Sequence, residues 1–211
     1  MVSRTFQPSN FTGLNVNLPA NVTWRRSADV SVTVVMQENF FEHLELYVNN
    51  GNLVIYSSTR LAANESIGNR PTIYIYAPYI NSVAFAGAVD TVNWDTIYSE
   101  HFTIKASGAV DVILNLQVDV LDVSGSGAVD FRLSGNAATA NITVSGAVDF
   151  HSFDLQIRDA ALHVSGAADV DVSVSDTLIL NVSGSADIRY RGNPTIIRNN
   201  VSRLARIIHM Q

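Results

Sequence analysis

The sequence predicts an all-β protein: a parallel β-helix, or β-solenoid, of about six coils of 18–21 residues, with an N-terminal β-rich cap region. Two observations carry that expectation. The first is a serial motif. SGSGAVDF at 124–131 returns as SGAVDV at 107–112, SGAVDF at 145–150, SGAADV at 165–170 and SGSADI at 183–188, with a shortened AGAVD at 86–90. Aligned on Asp90, Asp111, Asp130, Asp149, Asp169 and Asp187, the copies stand 21, 19, 19, 20 and 18 residues apart, a period that signals stacked supersecondary units. The second is alternation. One residue before and one after each Asp, apolar side chains dominate (Val110 and Val112, Val129 and Phe131, Val148 and Phe150), and so do they seven before (Val83, Ile104, Val123, Ile142, Leu162, Leu180). Polar residues hold the even offsets, so the pattern has a period of two, that of strands with one buried face.

Taken in order, residues 1–80 form the expected N-terminal capping region. Strand-like alternation appears in NFTGLNVNLP (10–19), NVTW (21–24) and DVSVTVVM (29–36). ENFFEHLELYV (38–48) begins as a helical turn and runs into a strand, and Asn49, Asn50 and Gly51 make a hairpin turn into LVIYS (53–57). The polar STRLAANESIGNR (58–70) reads as an exposed loop, and Pro71 opens the strand TIYIYAP (72–78). Residues 81–192 are the repeat region. There Gly87, Gly108, Gly127, Gly146, Gly166 and Gly184 stand three before each Asp, where glycine turns a corner or lets backbones approach. Residues 193–211 form the C-terminal cap. An antiparallel sandwich or barrel is the competing architecture, but it gives no reason for one corner chemistry to recur at a fixed period.

Composition narrows the function. The 211-residue chain has 47% hydrophobic and 15% charged residues, which excludes wholesale disorder. Its net charge of −6 is no nucleic-acid footprint. The last 23 residues nevertheless carry Arg189, Arg191, Arg198, Arg203 and Arg206 with no acid, as a solvated or interface-forming end would. Without cysteine there are no disulfides and no thiolate chemistry. No apolar run reaches membrane-span length. The start lacks a signal peptide, so an exported protein would have had its leader removed before Met1.

The six aspartates lie at even offsets and are expected to point outward in a file. Unit charges about 4.8 Å apart in water repel by roughly 0.9 kcal/mol before screening, so something must offset them. Hydrogen bonds from turn N–H groups or an adjacent Ser would serve, and this structural corner role is the favoured reading. Ca²⁺ would also serve, although one Asp per coil supplies few of the six to eight oxygens it needs. No cofactor is otherwise expected. A repeated carboxylate meets the two-carboxylate spacing of a glycosidase everywhere and so identifies no catalytic pair. Two residues beyond each Asp, Arg132, His151, Asp171 and Arg189 stack as a candidate ligand face, or as a charge-alternated surface that offsets the aspartates beside it. Trp94 and Tyr98, with Tyr74, Tyr76 and Tyr79, are a candidate sugar-stacking platform, or packing between the two regions. The histidines show no metal-ligand spacing, and no GxSxG, P-loop or HExxH pattern occurs.

FTGLNVNLPANVTW (11–24), the NNGNLVIYS hairpin (49–57), TIYIYAP, the serial SG(S/A)xD corners and RYRGNPTI (189–196) together resemble the family called putative auto-transporter adhesin head, GIN domain. The resemblance covers nearly the whole chain. It departs at the end, where NNVSRLARIIHM replaces a further SGSG-type corner. It implies a β-helical fold and a periplasmic, outer-membrane or extracellular location, and it transfers no catalytic residue. The expected function is non-enzymatic adhesion to a glycan or protein surface. A carbohydrate-active lyase or hydrolase and a self-associating structural protein of the envelope, a homo-oligomer, are the alternatives.

Overall fold

The computed structural model describes residues 1–59 and 70–211. Most of the loop expected at 58–70 therefore lies outside the described residues. Eleven strands form one sheet: β1 (Val2–Phe6), β2 (Gly13–Asn17), β3 (Ala20–Arg26), β4 (Ser31–Met36), β5 (Leu44–Asn49), β6 (Asn52–Ser57), β7 (Thr72–Ala77), β8 (Ser82–Thr91), β9 (Ile97–Arg191), β10 (Thr195–Val201) and β11 (Arg206–His209). A 3₁₀ turn at Glu38–His43 precedes β5.

The hairpin between β5 and β6 follows from its turn residues. Asn50 (φ +49°) and Gly51 (φ +74°) both sit in the left-handed region that a two-residue type I′ turn requires. Such a turn can only return the chain antiparallel, and Asn49 faces Asn52 across it. β4 likewise pairs antiparallel with both β1 and β7. The remaining pairs are parallel: β2 with β6 and β8, β3 with β7 and β8, β8 with β9, and β10 and β11 with β9.

All-β is therefore right, but the expected parallel β-helix of six coils is corrected. The chain is a curled, half-barrel sheet of mixed strand orientation. The physical reason is that a one-sided strand shows the same apolar alternation whichever way its neighbour runs. The β5–β6 reversal is signalled by its turn residues, but the alternation at 29–36 cannot announce that β4 runs against both β1 and β7.

The curl is sharpest at the glycines. Gly127 adopts φ +99°, and a Cβ on it would lie 2.6 Å from the carbonyl oxygen of Gly108. Gly184 keeps an ordinary φ, yet its Cβ would lie 2.2 Å from the Gly166 oxygen, so close approach alone demands glycine there. The strand bends at these points, so that Ser82–Ala86 of β8 pairs with β2 while Val89–Thr91 pairs with β3. Odd-offset side chains fill the concave side: Val89, Val110, Val129, Val148, Ala168 and Ala186 are all buried, with Phe131 and Phe150 in contact at 5.4 Å between ring centroids.

Candidate functional site

The aspartates emerge on the convex side because each follows a buried Val or Ala by one residue in extended backbone. Asp111, Asp130, Asp149, Asp169 and Asp187 border a groove of about 670 Å³ whose floor includes Ala128, Ala147 and Ala167. Leu204 and Arg206 also line it. The small residue between each Gly and Val of the motif makes this floor: a methyl group leaves space where a longer side chain would fill it.

Arginines meet three of the six carboxylates. Arg70 Nη1 donates to Asp90 at 2.5 Å and its Nη2 to the Ala88 carbonyl at 2.5 Å. Arg132 pairs with Asp130, and Arg206 grips Asp187 with Nε at 2.7 Å and through a second bond from Nη2. For these three, the expected turn N–H or Ser donor is replaced by a guanidinium. The Arg206 bond holds the Asp187 carboxyl below its ordinary value. Asp111, Asp149 and Asp169 have no ion pair among the described residues and are exposed. Although its side chain is exposed, partial desolvation by the neighbouring groups chiefly, then the charges of Asp90 and Asp130, raises the Asp111 carboxyl, against smaller pulls from Arg132 and Arg70. Among the described residues no group of three or more His, Cys, Asp or Glu is placed to hold a metal ion.

The second predicted face is assembled in part. Asp171 is buried, its carboxylate lying 2.9 Å from His151 Nδ1 and accepting from Arg189 Nε at 2.5 Å. Arg132 belongs to Asp130 instead. The aromatic residues part company. Trp94 packs on Trp24 and Phe85, with its indole N–H donating to the Val22 carbonyl at 2.7 Å. Tyr98 stays exposed, 5.9 Å from the Arg26 guanidinium.

Sequence reasoning did not single out three contacts. Arg70 on Asp90 and Arg206 on Asp187 span 20 and 19 residues with no local signal. The Arg191 guanidinium over the Phe153 ring, at 4.2 Å, is the third; both stand four beyond an Asp, but Ser173 holds that place in the repeat between them, so the column comparison alone does not bring them together.

The fold and groove define an all-β domain that presents a charged, small-floored channel on a rigid sheet. The chain belongs to the family described as "Putative auto-transporter adhesin, head GIN domain", whose profile matches residues 10–194. Three solved structures share the fold. A "putative adhesin" from Bacteroides fragilis NCTC 9343 superposes with a TM-score of 0.90 at 19% identity, covering 99% of this chain and 96% of that one. A "putative lipid binding protein" from Parabacteroides distasonis ATCC 8503 gives 0.75 at 18% identity, covering 100% and 96%. A "putative adhesin" from Parabacteroides merdae ATCC 43184 gives 0.63 at 12% identity, again covering 100% and 96%. A search of the curated proteins finds no match. Among the described residues no helix is long and apolar enough to cross a membrane.

Proposed function

We propose that this protein is a non-catalytic adhesin of the bacterial envelope or cell surface, and that it grips an extended glycan or protein segment in the aspartate groove. The observation that carries the reading is the groove's mixture of arginine-paired carboxylates, Asp130 and Asp187, and unpaired ones, Asp111, Asp149 and Asp169, over an alanine floor. Asp111, Asp149 and Asp169 present acceptors to hydroxyl or ammonium donors, and the small floor lets a chain lie close to the sheet. A β-sheet scaffold is already ordered, so docking loses little protein entropy. The family's description and the names of two of the three structural neighbours support adhesion; the choice of groove rests on the geometry.

The test is retention of the protein on a glycan array and on protein-coated surfaces, beside the triple variant Asp111→Ala/Asp149→Ala/Asp169→Ala. Wild-type retention that the variant loses, with its circular dichroism intact, is the expected result. Equal retention by both would remove the groove from the proposal. Retention on neither surface would remove adhesion.

A further inference from the structure

The sheet does not close, and its two open ends are unlike. Among the described residues, β1 pairs only with β4 and β5 only with β6 at one end, and β10 and β11 pair only with β9 at the other. Each leaves a row of backbone N–H and C=O groups without a strand partner, the feature that templates addition of another strand. Neither end is blunted by proline within these strands. Among the described residues, six of the eleven exposed large apolar side chains lie at these ends: Met1, Val2 and Tyr47 at one, Ile197, Leu204 and Ile208 at the other. Such a concentration marks contact surface rather than scattered exposure.

Charge distinguishes the ends. Residues 38–50 contain Glu38, Glu42 and Glu45 and no Lys or Arg, whereas residues 195–211 contain Arg198, Arg203 and Arg206 and no acid. Glu38 and Arg206 are engaged inside the chain, with Arg4 and Asp187. Glu42, whose Oε1 lies 3.5 Å from Nε2 of the adjacent His43, and Glu45 then remain to oppose Arg198 and Arg203, and all four are exposed.

We infer that the basic end of one copy docks on the acidic end of a second copy, with β11 adding in parallel to the partner copy's β1. The register chain permits that direction: β1 runs antiparallel to β4, which runs antiparallel to β7, and β7, β3, β8, β9 and β11 are all parallel. Four strands (β1, β4, β7, β3) precede β8 on that flank and three (β5, β6, β2) on the other, so β1 stands one strand further out. The Glu38–His43 turn packs beside β1, where the Arg4 guanidinium lies 4.3 Å from the Phe41 ring centroid. That places the acidic turn toward the partner copy's β10 and the turn after it. Because different surfaces meet, the contact is heterologous, and repeated it makes an open row of copies unless rotation closes it.

Sedimentation velocity tests this without any ligand, so its outcome is independent of the groove. The mean mass of the wild-type chain should at least double with concentration at low salt. It should fall back as ionic strength shrinks the screening length from about 10 Å at 0.1 M to about 3 Å at 1 M. Glu42→Lys/Glu45→Lys and Arg198→Glu/Arg203→Glu should each sediment as monomers alone. An equal mixture should regain the association, because each variant then supplies the end the other has lost. A wild-type chain that stays monomeric at every concentration overturns the inference, and so do swapped variants that associate as the wild type does.

Discussion

Phe131 occupies the space that a side chain on Gly125 would need: a Cβ built there lies 2.7 Å from the ring's Cε2 and 3.5 Å from Val144 Cγ1. Gly125 stands in the file that carries Phe85, Ala106 and Val144 in neighbouring repeats, and Phe131 in the file that carries Thr91 and Val112. In this repeat the bulk of Phe131 is matched by its absence at Gly125, whereas the next repeat carries both Val144 and Phe150. Gly125→Val should destabilise the protein by about 1–3 kcal/mol through overpacking. Trimming the ring with Phe131→Leu should make the Gly125→Val change cheaper than it is in the wild-type background, as a double-mutant cycle in urea would show.

The glycine file makes a graded prediction. Gly127→Ala combines a left-handed φ with a Cβ 2.6 Å from the Gly108 oxygen, whereas Gly51→Ala meets nothing within 4 Å and suffers only from its φ. The hairpin change should cost about 1–2 kcal/mol, and the Gly127 change clearly more, because backbone must move. Equal midpoints in urea for the two variants would contradict the close approach.

Asp171 meets the Arg189 guanidinium and the His151 ring, with a side chain only 11% exposed. Asp171→Ala strands Arg189 and His151 around the hole, and a loss of about 1–3 kcal/mol is expected. Asp159 is also paired, to Arg158, but on an exposed, sequence-adjacent contact. Asp159→Ala should cost clearly less, because solvent screens that pair. Thermal melts of the two variants side by side separate the cases.

Asp111 has its carboxyl raised, so its proton is bound more tightly in the folded than in the unfolded chain. That contribution is complete below the ordinary carboxylate value and is lost as pH rises through the raised one. At neutral pH the charge therefore opposes folding, and Asp111→Asn should raise stability by a few tenths of a kcal/mol, small because the group is exposed. The gain should vanish in acid. Asp122 is the opposite case: Asn141, then His101, hold its carboxyl below the ordinary value, so its contribution is present above that value and lost as pH falls. Asp122→Asn should cost stability at neutral pH. Urea midpoints across pH 3–7 read both signs.

Much of the molecule was legible where the signal is local. The hairpin turn, the helical turn before β5 and the strands β2, β3, β4, β6 and β7 follow from turn residues and alternation within a few positions. β1, β10 and β11 were not, because they lie at sheet edges: β1 has four of its five residues exposed, so no apolar face marks it. In the groove, Arg132 lies two residues from Asp130 in one extended strand, and its pairing could be anticipated. Arg70 and Arg206 reach their aspartates across neighbouring strands, and only the register brings them there.

By itself the sequence determined that the chain is all β, which side chains point inward, and that a file of acids stands along one face. Those properties follow from the two-residue period of extended backbone, which any neighbour preserves. Beyond the β5–β6 hairpin and the Arg132–Asp130 pair, tertiary structure alone decided which strands run against each other, that Arg70 and Arg206 neutralise Asp90 and Asp187, and which edges stay open. Each depends on what lies beside a strand, and hydrogen bonding between strands is indifferent to the identity of the side chains it aligns.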